Sequence, residues 1–242
     1  MRNRSLWPLK LVCAFLAGGA ISTVLATPGA FPSCTADNLA DYISNTTEPP
    51  ATGGCAIGVL DYIDFSYHPF SNAPLASAIQ VAPSGQGFTF GPITAPAGQT
   101  VQFEIDYDIV IDPSPIITGG DMSLDPPTGD VIVTQRYCND VAYEFQTGTC
   151  LGGLPPETLT VGTPGTGFPS SASITFVHPA TTSENVGILF TLTGGATGAS
   201  FDGLDSTSII SGVAPEPASA ASLLFGLLAL GGGYKLRKQR NN

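Results

Sequence analysis

The chain has 242 residues, only 11% of them charged, and its 29 glycines and 21 prolines make up about a fifth of it, which excludes a coiled coil or a helical bundle. An apolar content of 43% equally excludes wholesale disorder. Residues 27–214 carry 18 acids against Arg136 alone, a net of −17, so phosphate backbones and anionic membrane surfaces are repelled and nucleic acid is set aside as a partner.

At the N-terminus Arg2, Arg4 and Lys10 precede an apolar run over 11–25 that ends in Val24-Leu25-Ala26, with small residues where a signal peptidase inspects the chain. This predicts a signal peptide over 1–26, delivered to the general secretion machinery and cleaved by signal peptidase after Ala26. Gly18, Gly19 and Ala20 make the run too short and too weakly apolar for a lasting membrane span. Cys13 lies inside the apolar run rather than after a cleavage box, so it leaves with the signal and no lipoprotein is expected.

The exported part reads as strands. One helix is expected over 36–44, where Leu39, Tyr42 and Ile43 have i, i+3, i+4 spacing and Thr35 stands ready as a cap. Strands are expected over 57–67, 77–81 and 87–90. Over 101–112, Val101, Phe103, Ile105, Tyr107, Ile109 and Ile111 alternate with mostly polar residues, the period of a strand with one face in a core and one in water. Further strands are expected over 131–137, 141–146, 173–177, 186–193 and 206–210, with a long loop over 161–173. Pro113-Ser114-Pro115, Asp125-Pro126-Pro127 and Thr163-Pro164-Gly165 mark turns. Many short strands between such turns, without a 20–50-residue repeat, predict one all-β domain over 27–212, an antiparallel β-sandwich of jelly-roll or Greek-key type.

Four cysteines remain after signal removal: Cys34, Cys55, Cys138 and Cys150. An even number in an exported chain points to disulfides, and of three pairings the one that closes each loop locally is Cys34 with Cys55 and Cys138 with Cys150. Zinc is the weaker alternative, because no CxxC pair exists and the histidines, His68 and His178, each precede a proline in apolar surroundings.

Glu104, Asp106 and Asp108 share one side of a strand, and such a stripe offers oxygen ligands to calcium, the sole cofactor the sequence suggests. Neighbours on one strand face stand about 7 Å apart, so a solvated acidic face is the plainer reading. No catalytic residues are identified. The exported part contains no lysine, which removes a Walker loop, a Schiff base and a Ser-Lys dyad, and neither a GxSxG elbow nor an HExxH motif is present. A Ser-His-Asp triad assembled from distant loops stays open at this level. Trp7, the sole tryptophan, lies in the signal, which weakens a sugar-binding role without removing it, since tyrosines can substitute.

The chain ends in Pro215-Glu216-Pro217, an uncharged stretch over 218–234, and the basic cluster Lys235, Arg237, Lys238 and Arg240. At 1.5 Å per residue the stretch spans about 25 Å, the lower limit for a transmembrane helix, and the basic end belongs in the cytoplasm. The sequence over 213–242 resembles the PEP-CTERM sorting tail of Gram-negative bacteria. The resemblance implies recognition by an exosortase, a membrane-embedded processing enzyme, a transient anchor in the inner membrane, and then release or transfer to the cell-envelope surface or extracellular matrix. A permanent anchor is the alternative. Cys34 followed by Asp37, Asn38, Leu39, Tyr42 and Ile43, then Gly54-Cys55 and the aromatic segment Asp64-Phe65-Ser66-Tyr67, also resembles the exported domain of many PEP-CTERM proteins; it implies a β-rich fold and the first disulfide.

Two functions follow as expectations: a non-enzymatic cell-surface or extracellular-matrix protein associated with exopolysaccharide, or a secreted carbohydrate-binding module or hydrolase on a β-sandwich. A cleft converging on two carboxylates or on Ser, His and Asp would favour the second.

Overall fold

Along residues 101–111 every second side chain, from Val101 to Ile111, is buried, as the period-two pattern requires. The computed structural model describes residues 31–46, 54–111, 115–177 and 181–211. The segments expected to be a signal peptide, a sorting motif, a span and a basic cluster, and His178, lie outside the described residues. Among the described residues no helix is long and apolar enough to cross a membrane.

In chain order the strands are β1 (Asp37–Asn38), β2 (Gly54–Ile57), β3 (Leu60–Ser71), β4 (Gln80–Ser84), β5 (Gly87–Phe90), β6 (Ile93–Ala95), β7 (Thr100–Val110) and β8 (Ile116–Leu124). They continue as β9 (Asp130–Asn139), β10 (Tyr143–Glu144), β11 (Thr149–Cys150), β12 (Glu157–Gly162), β13 (Ser171–Thr175), β14 (Ser183–Thr193), β15 (Ala199–Phe201) and β16 (Leu204–Ser211), and the helix α1 spans Leu39–Thr46. Two six-stranded antiparallel sheets form the sandwich: sheet A in the order β12-β9-β14-β7-β3-β2 and sheet B in the order β1-β4-β5-β16-β8-β13. β14 lies between β7 and β9, and β16 between β5 and β8, so late strands insert between early ones in both sheets. This ties residues 183–211 to the middle of the chain and makes the fold dependent on long-range pairing.

The inner faces meet through aromatic rings. Phe65 stacks on Tyr107 at 5.1 Å within sheet A, Phe88 of sheet B meets Tyr62 edge-on at 4.7 Å, and Phe90 reaches Phe190 at 6.2 Å. Each such ring, removed from water, stabilises the fold by about 1.5–3 kcal/mol. The interior is not wholly apolar. Ser206 donates to Oε1 of Gln135 at 2.9 Å and lies 3.3 Å from the Tyr107 hydroxyl, which links the two sheets by hydrogen bonds. The Tyr62 hydroxyl donates to the Gln86 carbonyl at 2.7 Å.

The helix starts later than expected. Asn38 rather than Thr35 caps it, its Oδ1 accepting the Asp41 N–H at 3.1 Å, while the Thr35 carbonyl accepts the Tyr42 hydroxyl at 2.6 Å. Asn38 also pairs with Gln80 in sheet B, so the helix starts only where that pairing ends. β8 was not expected, because Gly119 and Gly120 break its apolar pattern. A Cβ on Gly120 would lie 1.8 Å from the Tyr137 hydroxyl, and one on Gly119 would lie 2.1 Å from the Ile174 carbonyl oxygen, so close packing requires both glycines. The long loop expected over 161–173 is shorter, since β12 runs to Gly162 and β13 begins at Ser171. The strand expected over 141–146 contracts to Tyr143–Glu144, which pairs with Thr149–Cys150 in a small hairpin.

Candidate functional site

The sulfurs pair as expected, Cys34 with Cys55 at 2.08 Å and Cys138 with Cys150 at 2.04 Å. The second bridge joins the end of β9 to β11, and the loop it closes carries Tyr143 and Phe145 onto the outer face of sheet A. Register explains why they settle there. Across three strands Asp106 on β7, Gly187 on β14 and Arg136 on β9 stand side by side, and Ser66 on β3 extends the row beyond Asp106. Gly187 leaves a gap in that row. A Cβ at this position would lie 2.2 Å from Cε1 of Tyr143, so the missing side chain is the seat of the tyrosine ring.

From that seat the Tyr143 hydroxyl donates to Oε1 of Glu104. Nη1 of Arg136 donates to the Tyr143 oxygen at 2.9 Å and lies 3.4 Å from Glu104 Oε1. Glu104 is 2% exposed, so the solvated acidic face expected for the stripe is covered at this point by the disulfide-closed loop. Burial pushes the Glu104 carboxyl up from its usual range, and the Tyr143 hydrogen bond and the Arg136 charge pull it back.

One step along β7, Asp106 Oδ2 lies 2.8 Å from Nε2 of His68 and accepts from Ser66 Oγ at 3.3 Å. The His68 ring stacks on Phe145 with centroids 3.5 Å apart and planes within 7°. Burial, followed by the charge of Glu104, pushes Asp106 up to about 7, and burial pushes His68 down. Both shifts disfavour charge on the two partners of this 2.8 Å contact. Asp108 is pushed up to about 6 by burial and then by Asp64, and its charge in turn helps to raise Asp106.

Two sequence expectations meet at this face. Ser66, His68 and Asp106 do come together, but Ser66 Oγ at 3.1 Å and Asp106 both approach the same nitrogen, Nε2. A nucleophilic relay needs serine and carboxylate on opposite ring nitrogens, so this cluster clamps the histidine and does not activate the serine. Within the acidic stripe Glu104 is held by Arg136 and Tyr143, and Asp106 by Ser66 and His68. Among the described residues no three His, Cys, Asp or Glu side chains stand close enough to hold a metal ion.

Next to the clamp lies a groove of about 300 Å³. Gln102, Glu104 and Leu189 form its sheet side, Phe145 to Gly148 its loop side, and Phe70 and Arg136 also line it. Phe70 is 49% exposed and so offers ring area at the surface. Tyr143, Phe145 and Phe70 were not singled out from the sequence. A glycine in the middle of a β14 pattern facing a short disulfide loop was the available signal.

No protein-family model matches the sequence, and a search of curated proteins gave no match. Among solved structures, TmCBM61 in complex with β-1,4-galactotriose is similar at a TM-score of 0.35 and 11% identity, over 60% of this chain and 88% of that one. The enzymatically active domain of tailspike protein 4 of bacteriophage CBA120 is similar at 0.32 and 9% identity, over 60% of this chain and 19% of that one. A glycosylation associate protein complex from Streptococcus agalactiae is similar at 0.25 and 13% identity, over 63% and 49%. At these scores none of the three carries a function to this chain.

Proposed function

We propose that this chain is an exported, non-enzymatic cell-surface or extracellular-matrix protein, sorted through its PEP-CTERM tail by an exosortase, whose β-sandwich associates with exopolysaccharide. The observation that carries export is the pair of bridges, Cys34–Cys55 and Cys138–Cys150, which belong to an oxidising compartment. They agree with the N-terminal signal and with the topology set by Lys235, Arg237, Lys238 and Arg240. The Ser66, His68 and Asp106 cluster, whose serine and carboxylate share one ring nitrogen, supports no serine relay at this face.

The test is fractionation of the host with the exosortase present and absent. With it, the protein should be found in washed exopolysaccharide, and without it the protein should remain with the inner membrane. Equal distribution in both strains would overturn the sorting reading. Release of all the protein by a low-ionic-strength wash that leaves the polysaccharide in place would overturn the association.

A further inference from the structure

The groove beside Phe70 combines three properties on an acidic surface: exposed ring area, a charge pair of zero net charge whose carboxylate is buried, and amide groups at the margin. Phe70 and Phe145 supply the rings, Glu104 and Arg136 the pair, Gln102 and Gln146 the amides. The geometry points to this groove as a binding subsite for a neutral sugar residue within a polysaccharide, which deepens the exopolysaccharide reading above and rests on it.

The ligand class follows from charge and shape. A uronate or sulfated sugar would need a free cation. Arg136, the one basic residue of 27–214, is already held by Glu104 at 3.4 Å within a net-negative domain. A cationic ligand would need a free carboxylate, but Glu104 is already occupied by Arg136 and Tyr143. What remains for a ligand is a donor and an acceptor side by side. Vicinal hydroxyls, each able to give and accept, match such a pair. The guanidinium has N–H groups beyond those on Nη1, and the side-chain amide oxygens of Gln102 and Gln146 supply acceptors at the margin. A pyranose also has an apolar C–H face, which suits the exposed Phe70 ring. The volume of about 300 Å³ lies at the lower end for small-molecule sites, which fits one or two rings of a longer chain.

The opposite sheet provides an internal control. A depression of about 400 Å³ on sheet B is lined by Asp121, Ser173, Asp205 and Thr207 among others, without an aromatic ring. It has carboxylates and hydroxyls but no platform.

Titration calorimetry of the full chain with neutral hexasaccharides of β-linked glucose, galactose and mannose, and with the matching uronates, tests the assignment. At least one neutral series should bind, with the uronates weaker by about tenfold or more. Phe70→Ala and Gln102→Ala, both at partly exposed positions, should each weaken binding by about fivefold or more while melting with the wild type, and Ser173→Ala should change nothing. Uronates binding as tightly as neutral sugars would overturn the assignment, and so would neutral binding that survives both Phe70→Ala and Gln102→Ala. Co-fractionation with host exopolysaccharide separates the two levels. If both groove variants still accompany the polysaccharide undiminished, or if it is retained while no neutral series binds, the groove assignment fails and the broader reading stands. If wild-type protein washes free while a neutral series binds as described, the broader reading fails and the groove stands.

Discussion

Tyr143 lies on Gly187: a Cβ on the glycine would stand 2.2 Å from Cε1 of the tyrosine ring. That one missing side chain lets the Cys138–Cys150 loop lie flat on sheet A and brings the Tyr143 hydroxyl to Glu104. Gly187→Ala should therefore displace the ring rather than unfold the sheet, since Gly187 does not have the positive φ that would strain an alanine. We expect a loss of about 1–3 kcal/mol in urea denaturation, with amide exchange accelerated over 140–150 and little changed in β7. A loss spread evenly over both sheets would show that the loop is not the element seated there.

The Cys138–Cys150 bridge holds the same loop from its other end. Replacing both cysteines by serine should cost about 3 kcal/mol on chain-entropy grounds. It should also loosen the His68–Phe145 stack, which has no covalent tie of its own. Non-reducing peptide mapping should recover Cys34 with Cys55 and Cys138 with Cys150; free thiols at these positions would contradict both the structure and the oxidising compartment.

Ser206 joins the sheets by donating to Gln135 while Tyr107 lies within reach. Ser206→Ala leaves the buried Gln135 oxygen without this donor, at a cost of about 1–3 kcal/mol. Ser173→Ala on the outer face of sheet B should cost almost nothing. The difference between the two midpoints in urea measures what the internal network contributes.

Legibility followed burial. Strands buried on one face and polar on the other, such as β7, could be read directly, because a period of two sustained over eleven residues fits a half-buried strand and little else. β8 could not be read, because Gly119 and Gly120 are demanded by the close approach of Ile174 and Tyr137, contacts that exist only after folding. The acidic stripe was seen but misjudged as solvated: nothing local to Glu104 reveals that a tyrosine 39 residues away will cover it. The disulfide pairing was readable because each loop closes over a short separation, 21 and 12 residues. The groove was not, since Phe70, Gln102, Arg136 and Phe145 come from four separate elements.

Pro215-Glu216-Pro217 should mark the processing region. Mass spectrometry of surface protein from exosortase-positive cells should show a chain that lacks the span over 218–234 and the basic cluster. Glu216→Ala should spare membrane insertion yet impair processing, whereas Ala at Arg237, Lys238 and Arg240 should weaken retention in the membrane. A mature chain intact through Asn242 would overturn the processing reading and leave the permanent anchor as the better one.

Stability should decline as pH rises through the neutral range. Burial holds Asp106 up at about 7, Asp108 at about 6 and Glu184 at about 8. A carboxyl whose folded pKa is raised contributes stability that is fully present below its unfolded value, near 4, and is lost as pH climbs through the folded value. His68 acts in the opposite sense: its lowered pKa contributes stability above about 6.5 that is lost as pH falls. Three carboxyls outweigh one imidazole, so the urea midpoint should be higher at pH 5 than at pH 8. The limiting slope is about 1.4 kcal/mol per pH unit for each proton that differs between folded and unfolded chains. Asp106→Asn keeps the size of the side chain and its hydrogen-bonding capacity toward Ser66 and His68 but cannot titrate. It should flatten the curve between about pH 4 and 7 and leave the fall above 7 in place, because Glu184 still titrates there. A variant curve parallel to the wild type over the lower window would mean that Asp106 is ionised throughout.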